Sequence, residues 1–215
     1  MTLIEQKQPV LVWDLPVRVF HGLLVVSFAG AWLTAENETQ PMLHYAFGYS
    51  ACALVLFRII WGFIGTRYAR FGQFVKGPSK TMDHMKSLFT RHPDSELGHN
   101  PAGAMVMILL MVLIILLGLT GYWSIKELLS DQVGEAHEVM ASAAMVLVMV
   151  HLAAAIFMSF LHHENLLKSM VSGKKQGTID QAIKSPFSPV GLLLAIAWAL
   201  AFSLLVSGAL PALTQ

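Results

Sequence analysis

Four of the nine histidines in this 215-residue chain fall inside long apolar segments. They are His21, His44, His137 and His151. An ionisable side chain inside an apolar membrane segment is costly, and it usually has a functional partner. His137 and His151 are 14 positions apart, which on an α-helix places them about 40° apart around the axis and roughly 21 Å apart along it. Two imidazoles on one helix face at two depths predict two stacked sites.

The amino-acid composition indicates that these histidines lie in a membrane protein. Hydrophobic residues make up 55% of the chain and charged residues 13%, whereas about a quarter of the residues in a soluble domain are charged. Five segments are long and apolar enough to cross a bilayer as helices: residues 17–35, 43–65, 101–123, 136–160 and 189–210. We therefore predict an all-α integral membrane protein in which residues 1–215 form a single membrane domain.

The basic residues predict the orientation of this domain. With an internal N-terminus, 12 of the 14 lysines and arginines lie on the inner side, while Lys126 lies outside and Arg58 falls within the second span. Positive charge collects on the cytoplasmic side of membrane proteins, so we predict a cytoplasmic N-terminus and an external C-terminus. The charge follows from topology and from contact with lipid headgroups, and it does not indicate nucleic-acid binding.

The alternating topology sorts the four histidines into two pairs. His21 lies near the inner end of the first span and His44 near the outer end of the second, while the fourth span carries His137 outside and His151 inside. Two imidazoles that face each other across a helical bundle suit the axial positions of a haem. Cys52 is the single cysteine, so the chain has no Cys-x-x-Cys-His motif and we expect both haems to be bound non-covalently.

Two alternative roles for these histidines remain open at this point. Buried histidines also serve as proton relays or as ligands of a transported metal ion, and they can simply be packed in a core. A metal site requires ligands that converge at one depth, whereas these pairs are separated by about 20 Å along the helix axis. The separation favours two haems over transport of a metal ion or protons.

Gly48 and Arg58 are further candidate haem contacts in the second span. Gly48 lies one turn from His44 on the same face, where the absence of a side chain would admit a planar group. Arg58 lies 14 positions after His44, on nearly the same face at inner depth. A guanidinium at that position requires an anionic partner, such as a haem propionate, or must reach the lipid headgroups. The sequence does not distinguish these two arrangements.

The connection before the third span carries three more histidines. His84, His92 and His99 lie in a basic segment, and residues 79–90 are amphipathic enough for a helix at the membrane interface. We expect these three histidines to be solvated surface residues.

The ends of the apolar segments are also predicted. Asp14 and Asn100 precede helix-starting prolines and suit the N-cap position of the first and third helices. Residues 1–9 show no pattern of regular structure. The fifth span has no ionisable group, and we expect it to contribute packing.

Several short motifs occur together along the chain. They are Trp13-Asp14-x-Pro16-Val17-Arg18-x-x-His21, His44-x-x-x-Gly48, Arg58-Ile-Ile-Trp61-Gly-Phe-Ile-Gly65-x-Arg67-Tyr68-Ala69-Arg70, Gly98-His99-Asn100-Pro101 and the spacing of His137 and His151. Between residues 13 and 175 the chain thereby resembles the b-type cytochrome subunits of nickel-iron hydrogenases and the related bacterial cytochrome b561 group.

The resemblance implies a four-helix transmembrane haem-binding bundle, to which this chain adds a fifth C-terminal helix. It implies two b haems ligated by His21 with His151 and by His44 with His137, in a bacterial inner membrane. It also implies electron exchange between membrane quinone and a periplasmic redox partner. The outer connection at residues 36–42 is short, so a small periplasmic cytochrome is as good a candidate for this partner as a hydrogenase.

A quinone site requires a proton acceptor close to one haem. Glu138 near the outer haem, and His99 or His162 near the inner one, are candidates. A self-contained oxidoreductase that oxidises superoxide or reduces a small acceptor at the outer haem is an alternative function. A bis-histidine iron has no open position for oxygen, which favours electron transfer.

Overall fold

The structure is a computed structural model that describes residues 7–37, 39–75, 79, 82, 86, 97–128, 130 and 132–210. Ten elements follow one another along these residues: β1 (Gln8–Leu11), α1 (Leu15–Leu33), α2 (Pro41–Ile64), α3 (Phe71–Phe74), α4 (Pro101–Ile125), α5 (Gln132–Leu161), α6 (Leu166–Ser172), β2 (Lys174–Gly177), a 3₁₀ turn (Ile179–Gln181) and α7 (Ser188–Val206).

The predicted helical membrane architecture is confirmed. Five helices, α1, α2, α4, α5 and α7, are long and apolar enough to cross a membrane. Their ends differ from the predicted spans most clearly at two places: α5 begins at Gln132 instead of residue 136, and α7 ends at Val206 instead of residue 210. The predicted boundary followed the apolar run alone. The turn before that run is also helical, because polar residues outside a membrane can continue a helix.

Two N-caps form as predicted. The Asp14 side chain accepts a hydrogen bond of 2.8 Å from the Val17 amide at the start of α1. The Asn100 side chain accepts one of 2.6 Å from the Gly103 amide at the start of α4. Each cap satisfies an amide that has no partner within its own helix, and so fixes where the helix begins.

Helices α1, α2 and α7 pack on one another, α4 packs on α2, and α5 packs on α4. Close approach depends on small residues: a side chain on Gly191 of α7 would collide with Leu15, and one on Gly118 of α4 with Cys52. Among the described residues, α5 packs extensively on α4 and α6, but it has no comparable contact with α1 or α2. Helices in direct contact lie about 8–10 Å apart, so α5 stands further than that from α1 and α2.

A small folded cap covers one end of the bundle, which we name the capped end; the other is the open end. β1 and β2 pair antiparallel, with Gln8 opposite Gly177 and Leu11 opposite Lys174. Beneath this sheet lies an apolar core formed by Val10, Val12, Trp13, Val17, Trp61, Tyr68, Ala69 and Ile183. The expectation of no regular structure before residue 10 is wrong for Gln8 and Pro9, which belong to β1.

The predicted interfacial helix cannot be compared with the structure over most of its length. Within residues 79–90, positions 79, 82 and 86 are described and are helical. His84 and His92 lie outside the described residues.

Candidate haem-binding site

His44 and His137 face each other at the open end and form what we name the open-end pair. His44 lies in the first turn of α2, and His137 lies in the second turn of α5. Their ring centroids are 6.2 Å apart, and the ring planes are inclined by 72°. The two helices have no extended contact, so these imidazoles approach each other across the space between them.

The Nδ1 atom of His44 has a backbone partner. It lies 2.9 Å from the carbonyl oxygen of Ala31 in α1, and because a carbonyl only accepts, Nδ1 carries the proton and donates. The proton on Nδ1 leaves Nε2 with a free lone pair, which is the form in which histidine binds a metal.

The Nδ1 atom of His137 is held in the same way by a side chain. It lies 3.1 Å from Oγ1 of Thr120, and the Leu117 carbonyl faces the same ring. The Thr120 hydroxyl donates its proton to the Leu116 carbonyl at 2.9 Å. In this arrangement the hydroxyl oxygen accepts from Nδ1–H of His137, and Nε2 is the atom with a free lone pair; the opposite tautomer would reverse the direction of the Thr120 bond.

These observations fit a haem bound between the two rings. Imidazoles that bind one metal ion from opposite sides have centroids about 6 Å apart, since a metal–nitrogen bond is about 2 Å long. Gly48 is one turn from His44, and a Cβ built there would have no atom within 4 Å. The gap between α5 and α2, the spacing of the rings and the open space at Gly48 together suit a planar group with axial imidazoles.

His21 and His151 form the capped-end pair. His21 lies in the second turn of α1, and His151 lies 14 positions after His137 on α5. The two side chains are near enough to interact electrostatically. Both also interact with His99, which in turn interacts with Arg58. The capped end thus brings together a second pair of histidines and a guanidinium.

Arg58 is buried at the capped end. Its side chain is 1% exposed, and the guanidinium carbon lies 5.1 Å from the ring centre of Phe71 and 6.0 Å from that of Phe74. Nη2 approaches the Met107 sulfur at 4.0 Å, while Nη1 has no hydrogen-bond partner among the described residues. This burial disagrees with an arginine that reaches the lipid headgroups, and it leaves an unpaired donor for an anion.

Asp14 is the fully buried carboxylate that holds the capped end together. Besides capping α1, its second oxygen accepts hydrogen bonds from Nε1 of Trp61 at 2.9 Å and from the hydroxyl of Thr66 at 2.7 Å. The carboxylate thereby joins the start of α1 to the end of α2, and its charge partly offsets that of Arg58.

His99 is not the solvated surface residue that the sequence predicts. Its ring lies 4.7 Å from both Trp13 and Phe74, and its Nδ1 atom is buried without a hydrogen-bond partner in the part of the chain that the structure describes. Burial lowers the pKa of His99 to about 3, and the positive charge of Arg58 acts in the same direction. His99 is therefore a neutral imidazole in a half-buried position.

The remaining candidate residues lie nearer the surface. Glu138 is exposed on α5, and His162 is half-buried after its end. His163 is exposed with a positive φ of 51°. Glu164 forms an ion pair of 3.3 Å with Lys175 of β2. Within the described ranges, no three His, Cys, Asp or Glu side chains gather into a potential metal site.

Comparison with known proteins identifies the family. The sequence profile of prokaryotic cytochrome b561 matches residues 12–173. The chain belongs to the prokaryotic cytochrome b561 family. The predicted family resemblance is thus confirmed, and the match includes both histidine pairs but ends just short of β1 and β2 on either side. Membership implies a b-type haem protein with a role in electron transport, built as a multi-pass membrane protein.

Curated relatives of this cytochrome b561 family member agree with that assignment. It is 22% identical to a probable Ni/Fe-hydrogenase B-type cytochrome subunit of Rhizobium leguminosarum bv. viciae, over 79% of this chain and 90% of the relative. It is 23% identical to the subunit of the same description in Azotobacter vinelandii, over the same shares of both chains. A third, from Bradyrhizobium diazoefficiens, is 24% identical over 79% of this chain and 87% of its own length.

Sequence reasoning missed two contributors to the site. Thr120 lies on the third span, which carries no histidine, and no pattern in the sequence connects it with His137. Asp14 is predictable as a helix cap, but its bonds to Trp61 and Thr66 depend on how α1 and α2 meet. The sequence places Asp14 beside Trp13 in a family motif. That motif does not show which side chains bind to the carboxylate.

Proposed function

We propose that this protein is a diheme b-type cytochrome that carries electrons across the bacterial inner membrane between the quinone pool and a periplasmic redox partner. One haem b binds between His44 and His137, and the other between His21 and His151. The observation that carries the proposal is the open-end pair, in which two imidazoles 6.2 Å apart both have their Nδ1 atoms engaged.

The residues of the chain contribute orientation and charge. The Ala31 carbonyl and the Thr120 hydroxyl hold the open-end imidazoles with Nε2 turned to the ligand position, which also raises the basicity of each ring. Arg58 offers its unpaired Nη1 to a carboxylate of the capped-end haem. A haem held by two imidazoles supplies an iron that alternates between ferric and ferrous with no open position for another ligand.

The arrangement of the pairs along α5 supports transfer across the membrane. His137 and His151 lie roughly 21 Å apart along the helix axis, so the two haems lie at different depths. The lysine-rich capped end faces the cytoplasm under this proposal. The open end then faces the periplasm, where the short connection between α1 and α2 leaves the surface near His44 accessible to a small cytochrome or a hydrogenase.

The proposal is tested by haem counting on the purified protein. We expect two haems b per chain by pyridine haemochrome analysis, and a reduced-minus-oxidised spectrum typical of low-spin bis-histidine iron. His44→Ala and His151→Ala should each remove one haem, and the haem that remains should differ in midpoint potential between the two variants.

A matched control uses a histidine outside both pairs. His163→Asn keeps a residue that tolerates positive φ, and this variant should retain both haems. A well-folded wild type with one haem, or with none, would overturn the diheme assignment. Without any added protein, oxidation of superoxide coupled to quinone reduction, or rapid reduction of a small acceptor by quinol, would favour a self-contained oxidoreductase instead.

A further inference from the structure

The fifth membrane helix, α7, lies outside the part of the chain that matches the family, which ends at residue 173. It packs on both α1 and α2. These two helices carry His21 and His44, one imidazole of each pair. A helix in this place can act on the histidines without touching them, by fixing how α1 and α2 meet.

His44 depends on such support more than its position on a helix suggests. It lies in the first turn of α2, which begins at Pro41, and the side chain of Gln40 makes no capping hydrogen bond there. The amides of a first turn have no partner within their own helix, and α1 and α4 meet this need with the caps from Asp14 and Asn100. The first turn of α2 is therefore positioned by its contacts with other helices.

Three aromatic rings, which we name the aromatic clamp, join α7 to α1 and α2. Nε1 of Trp198 donates a hydrogen bond of 3.1 Å to Oγ of Ser27, a fully buried residue of α1. The Trp198 ring stacks on Phe202 with centroids 5.3 Å apart. Phe202 lies 4.7 Å from Phe47 of α2. The Phe47 ring covers Gly30 of α1 so closely that a Cβ there would lie 2.6 Å from it, so the contacts return to α1 three positions from where they begin.

The clamp ends beside the hydrogen bond that orients His44. Gly30 directly precedes Ala31, whose carbonyl accepts from Nδ1 of His44 at 2.9 Å. Phe47 lies three positions after His44, on the next turn of α2. The contact of the Phe47 ring with Gly30 therefore sets how closely α1 and α2 approach at the height of this bond.

The end of α7 also reaches the first turn of α2. Gly208 follows α7 with a φ of 72°, and a Cβ built on it would lie 3.9 Å from Cε of Met42. Met42 is two positions before His44. The helix thus contacts α2 on both sides of the histidine in sequence.

We propose that α7 is a positioning element for the open-end haem: Trp198 and Phe202 press Phe47 onto Gly30 and thereby keep the Ala31 carbonyl at hydrogen-bond distance from Nδ1 of His44. This inference rests on the proposed function, since it concerns the haem between His44 and His137. It gives the fifth helix a role in setting the properties of one haem, whereas the sequence predicts packing alone.

The test compares the two haems of purified Phe202→Ala with those of the wild type. The open-end haem is the one that His44→Ala lacks. Without pressure on Phe47 the bond from His44 to Ala31 weakens, so His44 becomes a poorer donor to ferric iron. The midpoint potential of the open-end haem should rise, and its transfer to apomyoglobin should be roughly tenfold faster. Its low-spin EPR signal, which responds to the orientation of the axial imidazoles, should shift, while the capped-end haem should stay as in the wild type.

Three further variants accompany Phe202→Ala. Ser27→Ala removes the acceptor of the Trp198 indole with a minimal change in volume, and it should alter the same haem in the same direction. Phe202→Tyr keeps a ring on Phe47 and should restore the wild-type potential and EPR signal. Leu200→Ala is the matched control, because Leu200 lies on the same helix and is 62% exposed; both haems should be unaffected.

A change confined to the open-end haem in Phe202→Ala, or in Ser27→Ala where Phe202→Ala does not fold, supports the positioning role. Unchanged potentials and EPR signals in the folded variants would overturn it, and so would equal changes at both haems, because these indicate general loosening of the bundle. In each of these cases two haems in the wild type leave the diheme assignment standing. A wild type with fewer than two haems would overturn the proposed function itself.

Discussion

At the scale of single residues, the positions of the protons on the histidines decide what the open-end pair can bind. Thr120 is the partner of Nδ1 of His137, at 3.1 Å; with its hydroxyl proton on the Leu116 carbonyl, it accepts from Nδ1–H and leaves Nε2 free. Outer partners of this kind orient metal-binding histidines and raise their basicity, and their removal typically costs about 10–100-fold in metal affinity or activity.

We therefore expect Thr120→Val to alter one haem. Valine has the shape of threonine without the hydroxyl, so His137 becomes a weaker donor to iron and ferric haem is less stabilised. The midpoint potential of the open-end haem should rise, and that haem should dissociate roughly tenfold more readily, as measured by redox titration and by transfer to apomyoglobin. Thr120→Ser should behave like wild type. An equal change at both haems would contradict the local role of Thr120.

His99 makes stability depend on pH through its burial. Its pKa is lowered from 6.5 to about 3 in the folded protein, so below pH 6.5 the unfolded chain binds a proton that the folded chain does not. Stability should therefore fall as the pH is lowered from 6.5 towards 3, and above 6.5 this group should have no effect. The charged or titratable groups around His99 also oppose protonation of its ring. They are Arg58, His151, His21 and Lys175.

The measurement is the thermal midpoint of the haem-loaded protein between about pH 4 and pH 8, which spans the range in which this linkage acts. His99→Phe, which cannot bind a proton, should lose part of the acid destabilisation while it keeps the wild-type behaviour in neutral and alkaline buffer. An identical acid profile in wild type and variant would show that other groups are responsible.

At the scale of elements, the structure depends on contacts between segments that are distant in sequence. The histidine pairs were predictable because topology and helix period fix depth and face before any contact is known. β1 and β2 were not, since each is only four residues long and they lie near opposite ends of the matched region. The environment of His99 could not be predicted for the same reason, because its neighbours Trp13 and Phe74 belong to two other segments of the chain.

Asp14 is the residue through which the cap and two membrane helices are coupled. Asp14→Asn keeps the shape but replaces one acceptor oxygen with a donor, and it also weakens the charge balance with Arg58. We expect the free energy of unfolding to fall by about 1–3 kcal/mol, with an earlier loss of the capped-end haem on heating. Asp180→Asn, at an exposed carboxylate near the cap, is the control and should leave the melting curve unchanged.

At the scale of the whole molecule, the two ends of the bundle differ in construction. The capped end carries a folded sheet, a buried carboxylate, a buried guanidinium and most of the lysines that the structure describes, whereas the open end has short connections between the helices that carry His44 and His137. Under the proposed function, one end would meet a quinone and the other a protein, and two ends of different construction suit these two tasks. The orientation of the chain in the membrane then decides with which compartment the open-end pair exchanges electrons.

The basic residues predict that the capped end is cytoplasmic. In a Cys52→Ala background, Asn37→Cys marks the open end and Lys184→Cys marks the capped end, and both positions are exposed. An impermeant maleimide added to intact spheroplasts should label Asn37→Cys but not Lys184→Cys. It should label Lys184→Cys only after the membrane is broken. The reverse pattern would place the open-end haem in the cytoplasm. The redox partner at the open end would then be a cytoplasmic protein, because a haem between His44 and His137 would exchange electrons only with what reaches that side.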